Sequence, residues 1–208
     1  GLVTAVDDTS HTGRVKVKFV SEDPDGKAQV WARVAVPFAG GHRGAFFIPD
    51  VGDEVVLGFM AGDPRHPVVL GSLWNGQQQA PERIAGKSVD RWSFTGKAGT
   101  RVAIVEEAQG REKVSVETPL GVSGTFTDEA GGKIELSAAG NMITMDSGGI
   151  TINAPAGFKL TTSTETITAS TINVSSPIAN YSGVITSNAL QTTAVISGSY
   201  TPGAGNIW

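Results

Sequence analysis

The amino-acid sequence predicts an all-β protein in which a small barrel is followed by a long series of short strands. No segment of the 208 residues sustains the i, i+3, i+4, i+7 apolar spacing of an amphipathic helix. Short runs of alternating apolar and polar residues recur along the whole chain and are separated by Gly, Pro and Asp. The composition also changes, because only Lys159 and Glu165 are charged between Gly157 and Trp208. The chain therefore has two parts with different architectures.

Residues 1–75 have the pattern of an independent globular β domain. Four or five short strands fit within this length, and turns rich in Gly, Pro and Asp separate them. Short strands in this number and spacing indicate a small Greek-key barrel. The clearest strand segments are residues 14–19, 30–36, 53–59 and 67–70.

In the C-terminal part the predicted strands follow one another at a shorter spacing. Residues 76–132 are predicted to form a connecting β segment, and residues 133–199 a stack of short strands joined by Gly or Asn corners. One strand with its corner recurs about every seven to nine residues, which is typical of a β-helix or solenoid. Each strand offers one pair of inward apolar side chains: Ile134/Leu136, Ile143/Met145, Ile150/Ile152, Phe158/Leu160 and Ile172/Val174.

Two arrangements could bury these apolar pairs. A single-chain solenoid stacks three strands per coil and needs a repeat of roughly 20 residues. An intertwined homotrimer needs only the one-strand repeat, because each chain supplies one face of a triangular prism at each level. The sequence has no clear self-similarity at the longer period, so the pattern favours the trimer.

Composition excludes several classes of function. The chain contains no Cys, which excludes disulfides and thiolate-held metal clusters. A net charge of −4 argues against nucleic acid as the main partner. No apolar run approaches the roughly 20 residues that span a bilayer, and the start of the chain lacks a signal-peptide pattern. Because the first residue is Gly1, we expect a chain that was processed or cut from a longer one.

Polar clusters that could suggest catalysis or metal binding have a simpler interpretation. Four acidic residues lie near Gly or Pro, where carboxylates usually bond turn amides, so we interpret them as turn residues. The three histidines are far apart in sequence and lack acidic partners at ligand spacing, so no metal site is expected. No catalytic residue and no cofactor is predicted. These acidic residues are Asp50, Asp53, Glu54 and Asp63, and the histidines are His11, His42 and His66.

Two groups of residues are candidates for protein contacts. Arg14, Lys16 and Lys18 form a basic stripe on one face of a strand, where we expect a solvated face or a contact with a neighbouring subunit or hub protein. No aromatic residue is expected beside the stripe, which argues against ligand binding. The last residues, 200–208, form a segment whose aromatic and Pro residues could plug a prism or seat another protein. The residues predicted to do so are Tyr200, Pro202, Ile207 and Trp208.

Three stretches resemble the spike proteins of contractile injection systems. They are WARVAVPFAGG from Trp31, GAFFIPDVGDEV from Gly44 and GDPRHPVVLGSLWN from Gly62. In this order they resemble the OB-fold domain of phage baseplate assembly protein V, of type VI secretion VgrG spikes and of extracellular injection particles. The final stretch SYTPGAGNIW, from Ser199, resembles the terminus of the protein V and extracellular-particle branch.

The resemblance implies an OB-fold Greek-key barrel followed by an intertwined triple-stranded β-helix in a homotrimer. It implies a mechanical spike that punctures a target envelope, carries a PAAR-repeat tip protein at its C-terminal end and meets hub or tail-tube proteins at its N-terminal side. The N-terminal hub would be a separate protein or a removed segment. The protein would be made in the bacterial cytoplasm and used in an assembled particle or virion baseplate.

Some family features are not expected here. No lysozyme domain fits between residues 76 and 132, and no His follows His66 to hold the iron that some spikes carry at the tip. Two other functions remain open alternatives: a trimeric receptor-binding fibre or adhesin, and a carbohydrate-processing β-helix enzyme. The enzyme would need a cluster of charged residues on one face of its helix, and the C-terminal part has little charge.

Overall fold

The computed structural model describes residues 1–19 and 28–196, and over these residues the secondary structure consists of β-strands and two short 3-10 turns. Across the same residues there is no helix with the length and apolar character needed to cross a membrane. The strands are β1 (Leu2–Ala5), β2 (Val15–Lys18), β3 (Gln29–Val34), β4 (Ala39–Gly40), β5 (Arg43–Gly44), β6 (Glu54–Phe59), β7 (Pro67–Leu73), β8 (Arg91–Thr95), β9 (Arg101–Val105), β10 (Lys113–Glu117), β11 (Ser123–Thr127), β12 (Lys133–Ala138), β13 (Asn141–Asp146) and β14 (Gly149–Asn153).

Five strands close into a barrel in the order β1-β2-β3-β7-β6, as the sequence predicted. Most neighbours pair antiparallel, and one parallel pair, β3 with β7, joins the two halves. The first strand was not predicted, because its four residues carry only a weak alternating pattern. It is held in place by its partners: the amino group of Gly1 donates to the carbonyl of Val55 at 2.8 Å.

The barrel core consists of small β-branched side chains. Val15 and Val17 are fully buried, and the lysines that alternate with them point outward, so the period of two in this strand is confirmed. Val3, Val55 and Val69 complete the core together with Ala32. The core is compact because each strand contributes only one or two inward residues.

Seven strands, β8 to β14, form a single antiparallel meander with neighbours in chain order. The sheet runs across the predicted boundary between residues 132 and 133. The domain limits remain a prediction. Its turns are short. The turn between β12 and β13 uses Ala139 and Gly140, both with positive φ, as two-residue hairpins require.

A second compact unit begins at Lys159. Its described residues extend to Ile196, contain no assigned strand and are all exposed. Bends interrupt an otherwise extended chain at residues 163, 170, 177, 182–183, 188 and 193. Over residues 159–196 no backbone N–H donates to a backbone carbonyl of the same chain. The triple-stranded β-helix expected for this segment is therefore not formed within one copy.

Candidate assembly surface

One face of the seven-stranded sheet is almost entirely apolar. Alternation along each strand sends two side chains to this face, and the strand registers align them in two continuous rows. The repeated pairs of apolar residues therefore begin at β8 and not at Lys133. The first row is Trp92, Ile104, Val114, Phe126, Ile134, Met145 and Ile150, and the second is Phe94, Val102, Val116, Gly124, Leu136, Ile143 and Ile152.

In the described part of the compact unit that contains the sheet, this apolar face is largely exposed. Phe94 is 66% exposed, Phe126 is 50% exposed and Ile150 is 71% exposed. Seven strands spaced about 4.8 Å apart make an apolar stripe about 30 Å long. Monomeric proteins rarely expose contiguous apolar patches larger than a few hundred Å², and larger ones mark interaction surfaces. The face therefore has the properties of a protein–protein contact.

The opposite face is mostly polar, and the segment before β8 contacts part of it. Glu82, in the segment before β8, accepts a hydrogen bond from Nε of Arg101 at 2.7 Å, and this bond is the main reason why the pKa of Glu82 is lowered. Arg91 donates to Asp90 at 2.8 Å and to Glu107 at 2.6 Å. An ion-pair network therefore crosses this face, as expected for the side of a sheet that faces solvent.

The barrel and the apolar face meet at an aromatic contact. Phe47, in the loop after β5, stacks on Phe94 with ring centroids 5.6 Å apart and an interplanar angle of 4°. Beside it, Lys97 forms an ion pair with Asp50, and this bond lowers the pKa of Asp50. The apolar face is thus continuous with a barrel loop.

The structure divides the predicted basic stripe. Lys16 and Lys18 lie on the outer face of β2. Arg14 instead binds a carboxylate of the same chain, because its Nη2 donates to Asp8 at 2.8 Å. The guanidinium also lies 5.7 Å from the ring centre of Trp31, which is on β3. The expectation that no aromatic lies beside the stripe is therefore wrong, because the aromatic comes from the neighbouring strand. That ring is already in contact with Arg14.

Asp8 organises the β1–β2 loop. Its buried carboxylate accepts hydrogen bonds from the backbone and hydroxyl groups of Ser10 and Thr12, and from the backbone and guanidinium of Arg14. The Arg14 hydrogen bond is the largest cause that lowers the pKa of Asp8 far below its ordinary value of 3.8. The loop is held by one charged group that the sequence pattern did not single out.

Replacing Asp8 with Asn is expected to lower the melting temperature of the barrel by about 5 °C, because the amide loses acceptor capacity and charge. A lowered folded pKa stabilises the protein above the ordinary value of 3.8, and this stabilisation declines as the pH falls below that value. The difference between wild type and variant should therefore shrink below pH 4. Thermal melts at pH 7 and pH 3 measure it, with the exposed neighbour Asp7→Asn as control. Equal effects of both variants would contradict this role.

The acidic candidates are confirmed as mainly turn residues. Asp53 accepts from the backbone N–H of Asp50 at 2.8 Å, and Asp63 accepts from that of Arg65 at 2.9 Å. The side chain of Arg65 is the main cause that lowers the pKa of Asp63 to about 2. Glu54 differs, because it lies in β6 and accepts from the side-chain amide of Asn75.

The histidines are not brought together as one set. His66 contacts Asp63 at 3.3 Å, whereas His11 and His42 line one surface cleft of about 580 Å³. Because His11 and His42 are far apart in sequence, the cleft that they share could not be predicted from the sequence. Among residues 1–19 and 28–196 no group of three or more His, Asp or Glu side chains is placed to hold a metal ion.

The predicted tip-docking residues lie outside the described residues, so their role remains a prediction: Tyr200, Pro202, Ile207 and Trp208. Sequence reasoning also missed two features of the described part. One is the apolar character of β8 to β11, for which the pairs Trp92/Phe94 and Val114/Val116 are the signal. The other is the exposed hairpin formed by β4 and β5.

Comparisons with known proteins agree with this geometry. Residues 1–74, which include the closed barrel, match the family described as the type VI secretion system/phage-baseplate injector OB domain. The type VI secretion spike protein VgrG5 of Pseudomonas aeruginosa is 34% identical over 111 residues, which is 50% of this chain and 14% of the relative. VgrG1a of the same organism is 30% identical over 117 residues, or 52% of this chain and 18% of that protein.

A further relative is the type VI secretion spike protein VgrG3 of Vibrio cholerae, 39% identical over 72 residues, which is 33% of this chain and 7% of that protein. The matched segments therefore represent less than one fifth of the length of these three relatives. The match covers the barrel and agrees with its closed five-stranded topology. Residues 1–74 thus match the OB domain of type VI secretion and phage-baseplate injectors, and about half of the chain is similar to VgrG spike proteins.

Proposed function

We propose that three copies of this chain assemble through the apolar sheet face into a triangular prism. A five-residue strand is about 16 Å long, so a triangle of such strands places each wall about 5 Å from the axis. This is half of the ~10 Å distance at which two sheets pack face to face. Two rows of side chains from each of three sheets would therefore fill the interior. The exposed apolar face is the observation that carries the proposal.

The segment from residue 159 to residue 196 is proposed to form an intertwined triple-stranded β-helix with the same segments of two other copies. Its bends recur every five to seven residues, which suits one strand per face and a corner between faces. Hydroxyl groups support these corners: Thr162 donates to the carbonyl of Thr164 at 3.0 Å, and Ser176 donates to that of Ile178 at 2.7 Å. The backbone groups of the extended stretches need partners, and two neighbouring chains would supply them.

The assembled trimer functions as the central spike of a contractile injection machine and is a structural protein, not an enzyme. A spike must transmit axial force without bending, and chains that wind around each other resist both bending and dissociation. The low charge of residues 159–196 reduces the desolvation cost of entering a membrane. Similarity to VgrG spike proteins supports this role, and the site of action would be an assembled secretion or injection particle that punctures the target envelope.

The decisive measurement is the mass of the full chain in solution by light scattering. We expect about three times the 21.5 kDa of one chain. A mass near that of a single chain would overturn the proposal, because the apolar face would then be exposed to water in the stable form of the protein. A mass of twice the chain would favour a two-sheet sandwich.

The C-terminal residues would seat a conical PAAR-repeat tip protein. Aromatic anchors dominate many interfaces, and the chain ends in Ile207 and Trp208 after Tyr200 and Pro202. Deleting residues 200–208 is expected to abolish co-purification of a PAAR-repeat protein and to leave the trimeric mass unchanged. Retention of full tip binding by the truncated chain would contradict this role. Loss of the trimer would instead indicate that the segment plugs the prism.

Lys16 and Lys18 are proposed to contact hub or tail-tube proteins at the N-terminal side of the protein. Both lie outward on β2, which leaves their charges accessible, whereas Arg14 is paired with Asp8. A hub contact would therefore depend on the two lysines more than on Arg14. The enzyme alternative would need a cluster of charged residues. In residues 159–196 the only charged residues are Lys159 and Glu165.

A further inference from the structure

A small hairpin projects from the barrel and exposes two phenylalanines. It comprises residues 38–47, with β4 and β5 joined through Gly41 and His42. The N–H of Ala45 donates to the carbonyl of Phe38 at 3.0 Å, so the two flanks of the hairpin are held side by side. Phe38 is 57% exposed and Phe46 is 81% exposed. We call this segment the Phe hairpin.

The position of the Phe hairpin makes this exposure significant. Phe47 stacks on Phe94, and Phe94 belongs to the apolar sheet face. Phe46 therefore projects from a segment that is continuous with the surface that we assign to contacts between copies. Exposed aromatic residues of this kind are enriched at the centres of protein interfaces.

Part of the described exterior of the barrel is apolar and could receive an aromatic side chain. The outward side chains of β2 and β3 include the cations Lys16, Lys18 and Arg33, and the outward ring of Trp31 is in contact with Arg14. Beyond Glu54, the outward positions of β6 and β7 include Val56, Val68 and Leu70, which we call the β6–β7 patch. Val56 is 41% exposed and Leu70 is 60% exposed.

Threefold symmetry requires two different contact surfaces on each copy, because a heterologous ring joins one patch to another. We infer that the Phe hairpin of one copy packs on the β6–β7 patch of the next copy, so that three barrels form a closed collar. The occupant of the patch is therefore a second copy of this chain. This inference rests on the proposed trimer, and it adds the residues that join the barrels.

Engineered cysteines can test this contact directly, because the chain contains no Cys. A Phe46→Cys chain and a Leu70→Cys chain with different tags are co-expressed, so that a disulfide between the two positions must join two copies. Mild oxidation is expected to convert monomer into a dimer band that contains both tags and disappears on reduction. Each variant expressed alone should remain monomeric on the denaturing gel.

The matched control replaces Leu70→Cys with Lys18→Cys, which lies on the polar side of the barrel. Equal dimer formation with the control, or with Phe46→Cys alone, would overturn the inference. If the solution mass is that of three chains but no mixed dimer forms, the inferred contact is wrong, although the proposed trimer still holds. A single-chain mass would instead overturn the proposed function itself.

Discussion

Replacing Phe126 with Asp is expected to abolish the three-chain assembly. Phe126 lies on β11, the central strand of the sheet, in the first apolar row. In a trimer, three carboxylates would be placed close together near a dry axis, where an unpaired charge costs several kcal/mol or more. In a single chain the same position is 50% exposed, and the substitution would have a small effect. Light scattering should give the mass of one chain.

The adjacent residue Thr125 provides the matched control. It lies on the same strand with its side chain on the polar face, opposite Ser115 and Glu135. Thr125→Asp is expected to keep the trimeric mass. A trimeric Phe126→Asp protein would contradict an apolar interior, and a monomeric Thr125→Asp protein would show that the strand tolerates no charge on either face. Circular dichroism of both variants establishes that the strands still form.

Backbone amides of residues 159–196 are expected to exchange with solvent deuterium very slowly. These amides have no backbone acceptor within the chain, so a single copy should exchange at rates close to those of an unfolded peptide. In an intertwined trimer, exchange requires separation of the chains. With a stability of about 5–15 kcal/mol, protection should reach about four orders of magnitude or more.

The barrel provides an internal reference for this measurement, because its strands are paired within one chain. Amides of β2 and β3 should be protected in the wild-type protein and in the Phe126→Asp variant alike. Residues 159–196 should lose protection only in the dissociated variant. Fast exchange of this segment in a protein of trimeric mass would mean that three sheets associate but the shafts do not intertwine.

Much of the fold follows from local sequence patterns. Strict alternation in residues 14–19 places Val15 and Val17 inside the barrel and the lysines outside, since successive strand residues point to opposite faces. The pairs Ile134/Leu136 and Ile150/Ile152 lie on one face for the same reason. The family resemblance of the barrel was visible in long motifs from Trp31 to Asn75, and the comparisons confirmed it.

Other features depend on which segments become neighbours. The apolar rows exist because the registers of seven strands align Trp92 with Ile104, Val114 and the residues beyond them. The contact between Arg14 and Trp31 likewise joins two segments that become neighbours through the pairing of β2 with β3. Such contacts depend on three-dimensional pairing, which a period of two along the chain does not specify.

The amino-acid pattern established the all-β class, the inward and outward sides of most strands and the nearly uncharged C-terminal segment, because these properties are local. The tertiary fold established that the apolar surface starts at β8, that its side chains are exposed among the described residues and that an exposed Phe hairpin continues it. These outcomes depend on strand register and on solvent exposure, which arise only when distant segments pair.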